Sequence, residues 1–219
     1  PAGLSIMGML AGDELASARL ADADDHILMV TENGQSIRFK SEIVPSQQRG
    51  ARGVIGIKTE DSDRVVAMDV GKPKNRLLLV ISKFGFGKKT KLSDYPLRQT
   101  RGGKGVKTLQ ITAKTGPVAD AQIIDDTKEE VYVVSEQAQV IRTSLASINV
   151  LGRATQGVTI IKPSEGDSVA SISCVSDLQL LEENAAKQSA TPKAKKPAST
   201  NGRRNGRVNG AQSRLDGIE

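Results

Sequence analysis

The sequence predicts an all-β protein, an incomplete propeller-like array of four-stranded blades that ends in a disordered basic tail. Three observations carry this. One motif recurs at intervals of 52 residues, so that Arg49, Arg101 and Arg153 share one position and Gly53, Gly105 and Gly157 another. Each interval holds short aliphatic runs of strand length, separated by turn signals such as Asn33-Gly34 and Thr115-Gly116-Pro117. Trp is absent and the aromatics are only three Phe and two Tyr, so the core must be built from Val, Ile, Leu, Met and Ala. A period of this length with four short strands per unit is the mark of blades that bury their faces against one another. Trp-Asp and kelch arrays are excluded, because both depend on aromatic residues that this chain lacks.

Residues 1–20 read as the second half of a blade, since Gly3 aligns with Gly53, Asp13 with Asp63 and Leu20 with Val70. The chain thus opens in mid-repeat, which predicts a piece of a longer protein. Residues 21–74 form the first complete blade repeat. It begins with Ile27-Leu28-Met29-Val30 and turns at Asn33-Gly34, the strongest short hairpin signal. The second strand, Ile37-Arg38-Phe39-Lys40, alternates apolar and cationic side chains, which predicts one apolar face and one cationic face. Residues 54–57 predict a third strand and residues 64–70 a fourth.

Residues 75–127 repeat the plan. Residues 77–81 are the first strand, Lys88-Lys89-Thr90-Lys91 lies in the second, a third runs through Leu109 and Ile111, and residues 118–124 close the unit. Residues 128–175 repeat it once more, with strands expected at 131–134, 140–143, 158–161 and 169–175. In residues 176–219 the pair Ser176 and Gln179 signals a short helix. Beyond it lies a disordered basic tail with almost nothing to bury.

A net charge of +6 and a pI near 9.5 favour a polyanionic partner. The body is only mildly basic, so affinity for such a partner must come from clustering of cations on one face. Scarce aromatics argue against reading single strands by base stacking. Cys174 is the only cysteine, which excludes an intrachain disulfide, and His26 is the only histidine, which excludes a zinc site of Cys and His ligands. Cys174 reads as a small core residue. Asp22, Asp24-Asp25 and Asp125-Asp126 fall at turns between repeats, where Asp is favoured for its turn chemistry, and none is assigned as a metal ligand. No apolar run approaches the length of a membrane span.

The recurring motif is most complete at Gln99-Thr100-Arg101-Gly102-Gly103-Lys104-Gly105. Glycines permit positive φ and close backbone approach, and the flanking cations supply directed donors, a combination suited to phosphates. Two sets of residues are therefore candidates for contact with a polyanion. One is the loop set: Arg49 with Arg52, Arg101 with Lys104, and Arg153. The other is the second-strand set: Arg38 with Lys40, Lys88 with Lys89 and Lys91, and Arg142. The third repeat is the weakest, because Ser144 and Gln156 stand where cations stand before. No catalytic residue is assigned. Tyr132, inside an apolar run, reads as core.

The Arg-Gly-Gly-Lys-Gly loop, Asn33-Gly34-Gln35-Ser36-Ile37-Arg38-Phe39, Gly85-Phe86-Gly87-Lys88-Lys89-Thr90 and residues 150–158 resemble the C-terminal domain of DNA gyrase A. The resemblance covers residues 1 to about 175 and corresponds to the last three repeats with part of another. It implies a β-pinwheel around which double-stranded DNA wraps, and a non-catalytic part of a type IIA topoisomerase whose catalytic tyrosine lies in an N-terminal region. It also implies assembly with the rest of gyrase A and with gyrase B as a heterotetramer. ATP and Mg2+ act elsewhere in that enzyme, no cofactor is expected in this chain, and the location is the bacterial cytoplasm, at the nucleoid. Thr100 stands where the family's diagnostic Gln-Arg-Arg-Gly-Gly-Lys-Gly box has its first Arg, so the corresponding C-terminal domain of topoisomerase IV stays open as an alternative. A third reading, from another class, is a blade array that docks an acidic protein partner.

Overall fold

Tight turns at Gly34 and Gly85, with φ of +76° and +78°, let alternating strands fold back on themselves. In this computed structural model, which describes residues 3–72 and 74–176, the hairpins are β1 (His26–Thr31) with β2 (Gln35–Lys40) and β4 (Leu77–Ser82) with β5 (Phe86–Lys91). A third hairpin joins β9 (Glu130–Ser135) to β10 (Val140–Ser144). Each hairpin gains an antiparallel inner strand on its other side: β3 (Val65–Gly71) on β1, β8 (Val118–Ile124) on β4 and β12 (Val169–Val175) on β9. The expected helix and basic tail from residue 177 lie outside the described residues.

The outer edge of each blade is supplied by the next repeat. β6 (Leu97–Arg98) pairs in parallel with β2, and β7 (Val106–Lys107) pairs antiparallel with the same strand, so the arginine-glycine loop between them edges the preceding blade. One blade on, β11 (Val158–Thr159) pairs with β5, and the bridge from Lys89 to Val150 takes the place of β6. The sequence predicts a third strand inside each unit at residues 54–57 and through Leu109 and Ile111. The structure differs: residues 54–57 make one bridge, Ile57 to Gly103, and Leu109 is fully buried without strand pairing. For residues 54–57 the reason is supply of partners, since a strand after the loop needs the free edge of an upstream hairpin and no described hairpin precedes β1; after the second loop, pairing with β2 is confined to β7.

Blades stack face to face. Leu28 and Val30 of the first blade meet Leu78, Val80, Leu92, Tyr95 and Leu109 of the second, and Leu79 and Ile81 meet Val131, Val133, Leu145 and Val169 of the third. β4 is therefore covered on both faces, which is why residues 77–81 read as an unbroken aliphatic run. Cys174 lies in the second of these cores, and burial pushes its thiol up to about 12. Tyr95, not Tyr132, is the core tyrosine: it is fully buried and its hydroxyl accepts from Thr108 at 2.7 Å. Tyr132 is half-buried, because alternation along β9 gives Val131 and Val133 the inner face and leaves Tyr132 on the outer one.

The inner strands are clipped by carboxylates. Asp69 accepts the Ile123 amide at 2.7 Å, and Asp120, one blade on, accepts the Ile172 amide at 2.9 Å. Residues 3–20 form no strand. Their contacts follow the alignment all the same: Ser17 donates to the Met68 carbonyl and Arg19 to the Asp69 carboxylate.

Candidate functional site

The loops repeat as three-dimensional objects. Arg101 donates through Nη1 to the Ile55 carbonyl at 3.0 Å, and Arg153, in register, donates to the Lys107 carbonyl at 2.7 Å. A second contact recurs three times: the amides of Gly8, Lys58 and Gln110 donate to the carbonyls of Ala51, Gly103 and Thr155 at 3.0, 3.0 and 3.1 Å. Each loop is thus fastened to the segment that leaves the loop before it, and the second and third run along the outer edges of the first two blades.

Glycine closes the second and third loops for a reason internal to the array. A Cβ on Gly105 would lie 2.2 Å from the Ser36 carbonyl oxygen, and one on Gly157 would lie 2.5 Å from the Gly87 oxygen. The close approach that the sequence assigns to an outside partner is made by the preceding blade.

Of the loop candidates, Arg49, Arg52 and Lys104 are exposed, and Arg101 and Arg153 are half-buried, each held by a backbone carbonyl. Arg98 and Lys107 join them. Both are exposed on the short strands that flank the second loop, beside half-buried Leu97 and Val106. That two-residue alternation is the sequence signal that identifies them. Arg49, Arg52, Arg98, Lys104 and Lys107 enter no ion pair among the described residues. Arg19, Arg64, Lys72 and Arg76, off this edge, are paired with Asp69, Glu32, Asp24 and Asp125. One acidic feature borders the edge: Lys104 and Lys58 line a cleft of about 440 Å³ with Glu60, Asp61 and Asp63.

The second-strand candidates divide. Lys91 is exposed, Lys40 is exposed and pairs with Glu42 at 2.9 Å, and Arg142 is exposed and pairs with Glu130. Arg38 and Lys88 are buried, which corrects the expectation of an outward cationic face. The alternation is real, but the next blade covers the side that carries Arg38, and Lys88, in the register position of Ile37, lies under the third loop. Arg38 donates to the Leu92 carbonyl at 2.8 Å and Lys89, its equivalent, to the Leu145 carbonyl at 2.6 Å. Leu92 and Leu145 occupy the same place in successive blades, each opening a short 3-10 turn, Leu92–Asp94 and Leu145–Ser147. Burial lowers the pKa of Arg38 and of Lys89. Arg38 Nε and His26 Nδ1 are buried without a partner among the described residues, and burial followed by the Arg38 charge keeps His26 neutral-leaning, with a lowered pKa.

Asp22, Asp24 and Asp25 bring their carboxylates together. Lys72 pairs with Asp24 at 2.8 Å and lies 3.7 Å from Asp25, while Asp25 also accepts the Asp22 amide. The cluster is a turn whose charge Lys72 offsets in part. No helix among the described residues is long and apolar enough to cross a membrane.

Comparison with known proteins agrees with this geometry. The family model of the DNA gyrase C-terminal domain, beta-propeller, matches residues 25–72, 76–125 and 129–176, one segment per blade. The DNA gyrase A protein of Dehalogenimonas lykanthroporepellens is 40% identical over 173 residues, covering 76% of this chain and 21% of that protein. Its counterpart in Deinococcus deserti is 39% identical over 174 residues, covering 78% and 21%. This chain therefore spans about a fifth of the length of the curated relatives it matches. A solved gyrase A C-terminal domain superposes with a TM-score of 0.72 at 26% identity, covering 78% of this chain and 58% of the other. The C-terminal domain of a DNA topoisomerase IV shares the fold, with a TM-score of 0.76 at 22% identity over 85% of this chain and 57% of that one. Matched in three consecutive blades over more than half its length, the chain belongs to the DNA gyrase C-terminal domain family.

Proposed function

We propose that this chain bends and wraps duplex DNA for a type IIA topoisomerase, as part of a gyrase A protein that works with gyrase B in the bacterial cytoplasm. One observation carries the reading: the arginine-glycine loops are joined in series by a repeated backbone contact, the second and third on the outer blade edges, and their cations are left without carboxylate partners among the described residues. A polyanion that follows a curved path needs such a rim. Bending a few tens of base pairs costs on the order of several kcal/mol, which distributed phosphate contacts can offset. No base-reading helix is required, because phosphate contacts position a duplex without reading its sequence. Strand cleavage and the chemistry of ATP and Mg2+ belong, in this reading, to other parts of the enzyme.

The direct test is linking number. A relaxed, nicked plasmid is incubated with the protein at low salt, sealed with ligase and stripped of protein. A shift in linking number that grows with protein concentration is expected, and tight binding with no shift would sink the wrapping role. Duplex length separates this from docking of an acidic protein partner: wrapping favours long over short duplexes, and docking is indifferent to length. Replacing Arg98 and Lys104 together by Ala removes two exposed charges that hold no part of the fold. The salt slope of duplex binding should then fall by about two.

A further inference from the structure

Lys88 is fully buried, yet its ammonium has a dense set of acceptors. It donates to the carbonyls of Gly152 at 2.7 Å, Arg153 at 2.6 Å and Thr155 at 3.0 Å, and to the Thr155 hydroxyl at 3.0 Å. All four belong to the third loop. In the preceding interface the equivalent residue is Ile37, whose Cδ1 lies 3.7 Å from where a Cβ on Gly103 would stand. An apolar residue therefore suffices to fill this place, and the lysine calls for another explanation.

Peptide geometry supplies it. In a planar trans peptide the C=O of one residue and the N–H of the next point in opposite directions. Drawing the carbonyls of 152, 153 and 155 inward turns the amides of Arg153, Ala154 and Gln156 outward. These three amides donate to no acceptor among the described residues. Ala154 and Gln156 are exposed. The amides of Arg153 and Ala154 are successive, the Thr155 amide between them and that of Gln156 donates to the Gly152 carbonyl, and successive outward amides form a concavity for anions. The Arg153 guanidinium is fixed beside them, with Nε on the Asp94 carbonyl at 3.1 Å and Nη1 on that of Lys107. The second loop presents the Lys104 side chain where this one has Gln156.

We propose that Lys88 is a positioning residue that turns the third loop into a backbone-amide nest for one phosphate of duplex DNA, replacing the side-chain cation carried by the second loop. The proposal rests on the duplex-binding reading above and deepens it.

Burial, and secondarily the Arg153 charge, draws the Lys88 ammonium down to about 8. Among its other surroundings, the β4 partner Val80 is apolar, and Asp94 and Lys107 turn only carbonyls toward Arg153. Tyr95, near Arg153, has its pKa raised by burial and stays a neutral phenol. Above pH 8 the amine therefore loses charge and one donor, and the inward hold on the loop weakens. The fold itself responds with the opposite sign. A lysine whose folded pKa lies below its ordinary value favours the folded state as pH rises from about 8 toward 10.5.

The test is duplex affinity of the unmodified chain from pH 7 to 9 at constant ionic strength, with thermal stability followed in parallel. Affinity should weaken about three- to tenfold across this range while the melting temperature shows no matching fall. Lys88→Met should show the weakened affinity already at pH 7 and a flat profile to pH 9. Binding that stays flat in the unmodified chain would overturn this inference alone. Absence of duplex binding at every pH would overturn the duplex reading and this inference with it.

Discussion

Gly53, Gly105 and Gly157 share a sequence position and a left-handed backbone, with φ of +78°, +75° and +79°, but their surroundings differ. A Cβ at Gly53 meets nothing within 4 Å, whereas one at Gly105 would strike the Ser36 carbonyl. Gly53→Ala should therefore cost only the left-handed penalty, about 1–2 kcal/mol. Gly105→Ala should cost about 3–5 kcal/mol, because overpacking against fixed backbone adds to that penalty. Urea unfolding of the two variants checks the difference, and equal losses would mean that the second loop does not seat on the preceding blade as described.

At the scale of elements, a buried and a half-buried cation act as clips between neighbouring blades. Arg38 on β2 reaches the 3-10 turn at Leu92, and Lys89 on β5 reaches the turn at Leu145. A charged donor on a carbonyl is worth more than a neutral one, and the buried stem adds packing. Arg38→Ala should lower stability by about 1–3 kcal/mol in urea unfolding and leave the salt slope of duplex binding unchanged. Lys91→Ala, at an exposed position of the cationic run on β5, should change stability by less than about 0.5 kcal/mol. A reduced salt slope in Arg38→Ala with unaltered stability would put that residue on the DNA path instead.

At the scale of the whole molecule, exchange of the outer edge couples each blade to the next, and the middle blade gains most. Its first strand, β4, is buried on both faces and bonded on both sides, whereas β10 pairs with no strand on its outer side among the described residues and Val140 is 62% exposed. Native-state hydrogen exchange should be slowest for the amides of β4 and faster for those of β10 that face away from β9. Uniform protection across the three blades would contradict a stack stabilised by its neighbours.

Much of this organisation is legible in the residues. Period-two alternation places β2, apolar runs of strand length place β1, β4 and β9, the Gly turns set the first two hairpins, and the interval between Arg49, Arg101 and Arg153 counts the blades before any contact is known. These are local properties, fixed by backbone sterics and by which side chains avoid water. The tertiary structure alone decides which neighbour covers each face. Alternation separates Arg38 from Phe39 but cannot say that the cationic side lies under the next blade, and the loop's glycines cannot say that their close partner is Ser36 or Gly87 of the preceding one. Nor does Lys88 differ in type from Lys91 until a loop 64 residues away closes over one and leaves the other in water. The division follows from distance along the chain: strand and turn depend on neighbours in sequence, whereas burial of a charge depends on what folds against it from another repeat.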